Sequence, residues 1–334
     1  MKIKILFLVL IFVSTSCATN PFTGKKTMAL VPNSQILPMA FAEYDKFLSE
    51  NDVITNTAEA ARIKRVGQHI SAAAERWLDA NNYQGYLKDY KWDYNLVDDE
   101  MVNAWCMPGG KIVFYTGILP IAGNETGIAA IMGHEVAHAL ANHGQQRMSA
   151  GLVQQAGTVA GNMVIKDDKD RILFNTAYGV GTNIGGMLPF SRSHESEADK
   201  IGIYIMAIAG YNPEEASKLW ERMEANSQGK KSLPAFLNTH PSNYSRIENL
   251  RALAPLAKAE AEKPTEEATT EEAAPEENTA PASEEKPAEE APAEKEAVEE
   301  KTSKEAPAEE DSSKETTAEE KTLEEKKEEE HSKE

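Results

Sequence analysis

Cysteine is scarce in this sequence, with only Cys17 and Cys106 among 334 residues. A disulfide would need both, and Cys17 lies in a segment that predicts its modification, as described below. We therefore expect Cys106 to be a small buried residue and not a metal ligand or a nucleophile.

The sequence also lacks a hydrophobic run long enough to cross a membrane. Residues 5–13 are nine apolar residues, too few for a spanning helix but suited to the core of a secretory signal. Polar and charged side chains interrupt residues 149–190 too often for a span. Transmembrane helices are therefore not expected in the mature chain.

Most of the chain carries almost no net charge, although the total is −19. Residues 261–334 hold 28 acidic residues against 10 lysines, whereas residues 1–260 hold 26 acidic and 25 basic residues. A nearly neutral body gives no electrostatic reason to expect nucleic acid as a partner. The glycines between residues 179 and 186 do not follow a strand in phosphate-loop spacing, so nucleotide binding is not expected either.

The N-terminus has the pattern of a secretory signal, with a basic start over residues 1–4 before the apolar run. Ser14-Thr15-Ser16-Cys17 is similar to the processing box of bacterial lipoproteins, although Ser14 stands where a leucine is usual. The alternative is an ordinary cleaved signal. We expect lipidation of Cys17 and anchoring in the bacterial cell envelope, facing the periplasm, and Ala18 favours the outer membrane.

Helical periodicity dominates the body, and strand-like patterns occur between residues 90 and 115. The predicted helices are 36–48, 57–78, 128–140, one in the first part of 149–190, 192–209, 212–225 and 243–253; a charged turn and a second apolar segment complete 149–190. The predicted strands are 90–97, 102–107 and 111–115, with a turn at Pro108-Gly109-Gly110, and we expect a meander. The expected fold class is mainly α with a small β-sheet.

The last part of the chain is mostly Glu, Lys, Ala, Pro, Thr and Ser and has no Phe, Tyr or Trp. Such a segment cannot bury enough apolar surface to offset the entropy of ordering. The expected organisation is a signal peptide over 1–16, a lipid anchor and tether over 17–34, one folded domain over 35–257 and a disordered acidic tail over 258–334.

A metal-binding motif, His134-Glu135-Val136-Ala137-His138, lies in a stretch with the spacing of a buried helix. His134 and His138 are i and i+4, which puts both imidazoles on one side, one turn apart. Glu135 is offset by one residue, so its carboxylate can address a water beside the metal. The alternative is two helix histidines with ordinary partners, and a third ligand is needed to decide.

A second buried helix supplies acidic candidates for that ligand. Glu195 and Asp199 are i and i+4, directly before the apolar run of residues 201–208. Buried carboxylates require a partner, and a metal on His134 and His138 would supply one. The alternative is a helix N-terminus enriched in acids for its dipole, which explains the acids but not their shared face.

His-Glu-x-x-His followed by Glu-x-x-Ala-Asp resembles the zinc metallopeptidase family of the CAAX prenyl protease and HtpX. Further matches are Asn103-Ala104, Pro108-Gly109-Gly110, Thr239-His240-Pro241 and Arg246-Ile247. The resemblance covers about residues 20–255. It implies a gluzincin-type zinc peptidase domain, most similar to the soluble periplasmic lipoprotein branch typified by BepA and LoiP.

The resemblance implies one Zn²⁺ per chain, held by His134, His138 and Glu195. Asp199 would accept a hydrogen bond from a ligand imidazole and fix its tautomer. Glu135 would take a proton from the attacking water and deliver it to the leaving amine. His240 would donate to the oxyanion or occupy the open metal position in a resting form, and the alternative is that it caps the last helix.

The predicted sheet would lie beside the site and offer an edge to an extended peptide. On this basis we expect four residues to contact substrate: Asn103, Gly110, Ile112 and Val113. The alternative is that the sheet is scaffold only. His143 and His194 are expected to be structural or surface residues.

The function expected from these features is zinc-dependent endoproteolysis, and the family resemblance implies misfolded or surplus envelope proteins as the substrates. The expected partners are polypeptide substrates and, through the anchor, a membrane. The alternative is an anchored chaperone or assembly factor that binds envelope proteins with little or no proteolysis. An intact ligand set and an intact Glu135 favour the protease.

Overall fold

The computed structural model describes residues 17–228, 234–241 and 244–263. The predicted signal peptide and the acidic tail from residue 264 onward lie outside the described residues, as does the side chain of Cys17. Within the described residues the fold is mainly helical with small sheets, as the sequence predicted.

All the described strands precede residue 116, and the described elements that follow are helices. The described helices are α1 (Asn33–Glu50), α2 (Ala58–Ala80), α3 (Leu119–Ala122), α4 (Glu125–Leu140), α5 (His143–Val164), α6 (Asp168–Thr182), α7 (Leu188–Ile208), α8 (Glu214–Ser227), α9 (Ala235–Thr239) and α10 (Tyr244–Ala261). The described strands are β1 (Cys17–Thr19), β2 (Lys26–Met28), β3 (Val53–Ile54), β4 (Asp93–Val97), β5 (Ala104–Met107) and β6 (Lys111–Tyr115).

The larger sheet has the strand order β3-β4-β6-β5, so the predicted meander is wrong. β4 and β6 are parallel, and β5 pairs antiparallel with the far side of β6. The sequence of β6 is Lys-Ile-Val-Phe-Tyr, and four of these five residues are buried. A strand that is apolar on both faces is most stable inside a sheet, because both faces are then covered. β5 is left at the edge, where it lies against α4.

Helices α4 and α7 cross so closely that their backbones touch. A Cβ atom at Gly133 would lie 2.8 Å from the carbonyl oxygen of Gly202, and one at Gly202 would lie 2.8 Å from the backbone of Gly133. Every residue of α4 from Gly127 to Leu140 is buried, as expected for a helix that is apolar all round. The crossing brings the helix of the histidine motif against the helix of the predicted acidic ligand.

Two helices extend beyond their predicted limits. α7 begins at Leu188, because it continues from α6 through a π-helical stretch. α10 runs across Pro255 to Ala261, and Ala257 is fully buried. Packing of small alanine side chains, which gives only a weak sequence signal, therefore carries α10 into the segment predicted as tail.

The segment predicted as an extended tether forms a hairpin that packs on the body. β1 and β2 pair antiparallel, and Asn20 between them is only 2% exposed. Farther along, the amide of Leu30 donates to Ser149 Oγ on α5 at 3.1 Å. The N-terminal hairpin, residues 17–28, is thus part of the folded domain.

Helices α5 and α6 follow one another on the outside of the body, and no residue of α6 is buried. The region that the sequence presented as Gly-, Ala- and Gln-rich is therefore helical and largely exposed. In the part of the chain that the structure describes, no helix combines the length and the apolar composition of a membrane span.

Because α4 and α7 cross so closely, adding a single methyl group at the crossing is expected to lower the stability of the protein strongly. We expect Gly202→Ala to lower the free energy of unfolding by about 1–3 kcal/mol, because the added methyl must push the helices apart. Urea unfolding of the metal-free protein separates this effect from metal binding.

The matched control is Gly179→Ala in α6, where an added Cβ meets nothing within 4 Å. It should be neutral or stabilise the protein by up to about 1 kcal/mol. Equal stability of Gly202→Ala and the wild type would contradict the close crossing.

Candidate metal centre

The three predicted ligands converge where α4 crosses α7. The Nε2 atoms of His134 and His138 are 3.1 Å apart. The carboxylate of Glu195 reaches both, with Oε2 at 3.3 Å from His134 Nε2 and Oε1 at 3.4 Å from His138 Nε2. The i,i+4 spacing on α4 provides the two imidazoles, and the adjacent helix supplies the acid.

A fourth group, His240, lies in the same cluster. It follows α9, and its Nδ1 is 3.2 Å from His134 Nε2 and 3.0 Å from Glu195 Oε2. One ligand atom from each of His134, His138, Glu195 and His240 lies within 4.8 Å of the others, and all four residues are buried. Three imidazoles and one carboxylate at this separation are a donor set that suits zinc.

The charge of Glu195 is stabilised within this cluster. Burial on its own opposes ionisation of the carboxyl. Hydrogen bonds from His134 and His240, and the charges of these rings, outweigh burial and hold the pKa of Glu195 well below its usual range. The residue is therefore available as an anionic ligand.

Asp199 lies behind His134, as its spacing from Glu195 suggested. Its Oδ1 is 3.0 Å from His134 Nδ1, so the imidazole can donate to the carboxylate and keep Nε2 free for a metal. Arg246 donates to both oxygens of Asp199 at 2.7 Å and lies over the ring of Trp220, 3.5 Å from its centroid. The sequence presented Arg246 as a matching motif residue, but only the structure gives it this role as the partner of Asp199.

Glu135 is buried beside the cluster without ligating it. It is 3% exposed, and its Oε1 has no hydrogen-bond partner among the described residues. The nearest ring nitrogen is His240 Nε2, at 3.4 Å. Burial raises the pKa of Glu135. A buried acceptor without a partner is unfavourable, which points to a water or substrate group at this position.

Two histidines that the sequence left as structural or surface residues are buried next to the ligands. The rings of His143 and His194 stack with centroids 4.0 Å apart. His143 Nδ1 is 2.9 Å from Nδ1 of the predicted ligand His138. Their position became evident only from the packing of α5 on α7.

The four residues predicted to contact substrate differ from one another in burial and in their neighbours. Ile112 and Val113 are fully buried on the inner strand β6, so their side chains have no surface to offer a peptide. The carbonyl of Gly110 accepts from the Asp93 amide at 3.0 Å, and a Cβ at Gly110 would meet the ring of Trp92. Asn103 is half-buried at the start of β5. On this flank of the sheet the edge strand is β5, because β6 is paired on both sides.

Cys106 on β5 is partly buried, where the sequence predicted a small buried residue. Its environment is nevertheless unfavourable for a thiolate. Burial raises the pKa of the thiol well above its ordinary value, and the nearby charge of Glu135 adds to the shift. Cys106 is not in the metal-binding cluster of the described residues.

Comparisons with known proteins agree with this geometry. A family model described as Peptidase family M48 matches residues 58–254. The chain is 34% identical over 178 residues to the mitochondrial metalloendopeptidase OMA1 of Schizosaccharomyces pombe, covering 53% of this chain and 50% of that protein. It is 27% identical over 273 residues to human metalloendopeptidase OMA1, with coverage of 75% and 48%.

A bacterial relative is the beta-barrel assembly-enhancing protease of Escherichia coli. It is 28% identical over 163 residues, which cover 47% of this chain and 33% of that protein. The chain spans about half the length, or less, of these three relatives.

The matched range includes all four members of the metal-binding cluster. The M48 metalloproteases use zinc, so the predicted cofactor is confirmed by the family and by the position of the cluster. Since the family model matches more than half of the chain, the chain belongs to peptidase family M48, the zinc metallopeptidase family that its motifs predicted.

Proposed function

We propose that this chain is a zinc-dependent endopeptidase that cleaves polypeptides. The observation that carries the proposal is the buried Oε1 of Glu135, which has no hydrogen-bond partner among the described residues and lies beside four converging metal donors. Leaving an acid unpaired in this way costs stability, and a water to be activated is the partner that it lacks.

The proposed chemistry divides between the metal and the protein. When held by His134, His138 and Glu195, zinc supplies a Lewis acid that polarises a peptide carbonyl and acidifies water. Glu135 accepts the proton of the attacking water and then gives it to the leaving amine. Asp199 holds the His134 ring in the tautomer whose Nε2 is free to ligate.

We propose that His240 is the displaceable member of the cluster. Its Nδ1 lies among the ligand atoms, so in a resting form this imidazole would help to hold the metal together with His134, His138 and Glu195. The residue follows α9 and so is carried by neither α4 nor α7, the helices that supply the other three members of the cluster. Once displaced by substrate, the same ring is available to donate to the oxyanion.

The edge strand β5 is the proposed binding surface for an extended peptide. The carbonyl of Asn103 accepts from the Tyr115 amide at 3.1 Å, on the side facing β6. Because backbone groups alternate in direction along an antiparallel strand, those of Ala104 and Cys106 face the open edge. β5 also lies against α4, which carries Glu135, so a peptide paired with it would pass the proposed base.

The proposed location is the bacterial cell envelope, with a lipid anchor on Cys17 and envelope proteins as substrates. The bacterial relative named as a beta-barrel assembly-enhancing protease supports this. Residues 1–16 contain lysines but no arginine, which favours a secretory signal over a mitochondrial transit peptide. The buried Asn20 is only three positions after Cys17, so the domain would lie within about 10 Å of its anchor.

Replacing the proposed base tests the mechanism directly. We expect Glu135→Gln to retain zinc, because the ligands are untouched, and to reduce casein cleavage by about 10²–10⁴-fold, because general base catalysis is lost. Metal analysis and a digestion assay on the same preparation measure both effects.

Undiminished cleavage by Glu135→Gln would remove this residue from its role. Suppression of aggregation of an unfolded envelope protein, equal in the variant and the wild type and without cleavage in either, would favour the chaperone alternative.

The ligand assignment predicts different zinc contents for two variants of the cluster. Glu195→Ala should lose most of the metal, because it removes the only anionic ligand. His240→Ala is the matched control and should retain zinc, because two imidazoles and the carboxylate remain. Metal analysis after dialysis measures both, and full occupancy in Glu195→Ala would refute the assignment.

The anchor predicts a change of fractionation in a bacterial host. Cys17→Ser should move the protein from the membrane fraction to the soluble fraction, because it removes the acylation site. Cys106→Ser is the control and should stay with the membranes. Membrane association of Cys17→Ser equal to that of the wild type would contradict the lipid anchor.

A further inference from the structure

The ligand His138 makes a contact that the catalytic proposal does not use. Its Nδ1 is 2.9 Å from Nδ1 of His143, the first residue of α5. His143 is fully buried, and the ring of His194 stacks on it at an interplanar angle of 12°. His194 in turn contacts Gln146 Oε1 through Nε2 at 3.1 Å. The His143 ring is therefore held in one plane and one orientation.

The orientation of the His138 ring determines which nitrogen atoms of His138 and His143 carry protons in this contact. Its Nε2 faces the metal cluster, 3.1 Å from His134 Nε2, so this nitrogen carries no proton when it ligates. A neutral imidazole then carries its proton on Nδ1, and His138 Nδ1 donates to His143 Nδ1. His143 must accept there, and its own proton stays on Nε2.

A carboxylate lies on the side of His143 where that proton is needed. Glu197 Oε2 is 3.6 Å from His143 Nε2, which is longer than a hydrogen bond, so the carboxylate acts through its charge. This charge favours the tautomer with the proton on Nε2. Glu197 is 6% exposed, so water screens the interaction little.

The N-terminal hairpin holds Glu197 in this position. Oε1 accepts from Asn20 Nδ2 at 3.0 Å and from Thr23 Oγ1 at 2.8 Å, and Lys25 Nζ lies 3.5 Å from Oε2. Three residues of the hairpin thus fix both oxygens of a carboxylate on α7. This explains why Asn20 is buried in a segment of otherwise ordinary loop composition.

We propose that His143 is a positioning residue for the zinc ligand His138, and that Glu197, fixed by the N-terminal hairpin, sets the tautomer of His143. The two ligand histidines are supported differently. His134 donates directly to a carboxylate, Asp199, whereas His138 donates to a neutral imidazole that a carboxylate orients. This inference rests on the metal site of the proposed function but concerns metal affinity and not peptide cleavage.

Two substitutions of similar size separate the acceptor from the packing. Asn at position 143 can present an amide oxygen where His143 has Nδ1, whereas Leu fills similar space without an acceptor. In the full chain, His143→Leu should weaken zinc binding by about 10–100-fold, and His143→Asn should recover most of this loss. Competition with a chelator measures the affinities, and Co²⁺ substitution reports the ligand geometry through the visible spectrum.

The expected result is an altered Co²⁺ spectrum in His143→Leu and a nearly wild-type spectrum in His143→Asn. Equal weakening by both variants would assign the effect to packing and overturn the proposal, as would unchanged affinity in both. A wild type without zinc affinity would overturn the proposed function itself, so the two failures are distinguishable.

A second variant covers the case in which His143→Leu does not fold. Glu197→Gln keeps the size of the side chain and removes its charge, and it should weaken zinc binding toward the lower end of the same range. Glu43→Gln on the exposed face of α1 is the matched control and should leave the affinity unchanged. Wild-type affinity in Glu197→Gln would overturn the role given to Glu197 and the hairpin.

Discussion

The backbone contact between Gly133 and Gly202 is the constraint on which the site depends. Packed helices usually keep their axes about 8–10 Å apart, and side chains at the crossing hold them there. Here both helices have a glycine at the crossing, Gly133 and Gly202, so no side chain holds them apart. The residues next to these glycines are therefore brought close together. His134 follows Gly133 directly, and Asp199 lies one turn before Gly202, which makes their 3.0 Å contact a consequence of the crossing. The predicted metal ligands lie on the same side of this crossing as the contact between His134 and Asp199.

This arrangement buries a group of acids in the interior of the domain. Glu135, Glu195, Glu197 and Asp199 are each less than 10% exposed, and buried carboxylates destabilise a fold unless they are paired. Three of the four are hydrogen-bonded or closely ion-paired: Glu195 and Asp199 have imidazoles and Arg246, and Glu197 has the N-terminal hairpin. The Oε1 atom of Glu135 has no hydrogen-bond partner among the described residues, and the ring nitrogen His240 Nε2 lies 3.4 Å from it. Natural proteins depart from full pairing of buried polar groups mainly at functional sites, so Glu135 is the acid at which catalysis is expected.

The polar network extends farther along the chain than the recognised family region. The family model begins at residue 58, whereas the network around His138 reaches Asn20 through Glu197. The folded unit therefore includes the N-terminal hairpin, and in the proposed anchored form this hairpin would connect the membrane directly to the metal centre. In this proposal the N-terminal hairpin, which lies next to the anchor at Cys17, also supports the ligand His138. The geometry of the site therefore depends on the N-terminal segment of the chain.

The sequence by itself determined what depends on neighbours along the chain. Helical spacing placed His134 and His138 on one face, and the shared face of Glu195 and Asp199, together with the motif resemblance, identified the acidic helix. Only the tertiary structure decided the strand order, the position of Arg246 behind Asp199 and the contact of His143 with His138. These depend on contacts between distant segments, such as that of Asn20 with Glu197, whose residue numbers differ by 177. The periodicity of a segment shows which of its faces is buried but not which other helix or strand that face contacts. The packing of the whole domain determines these contacts.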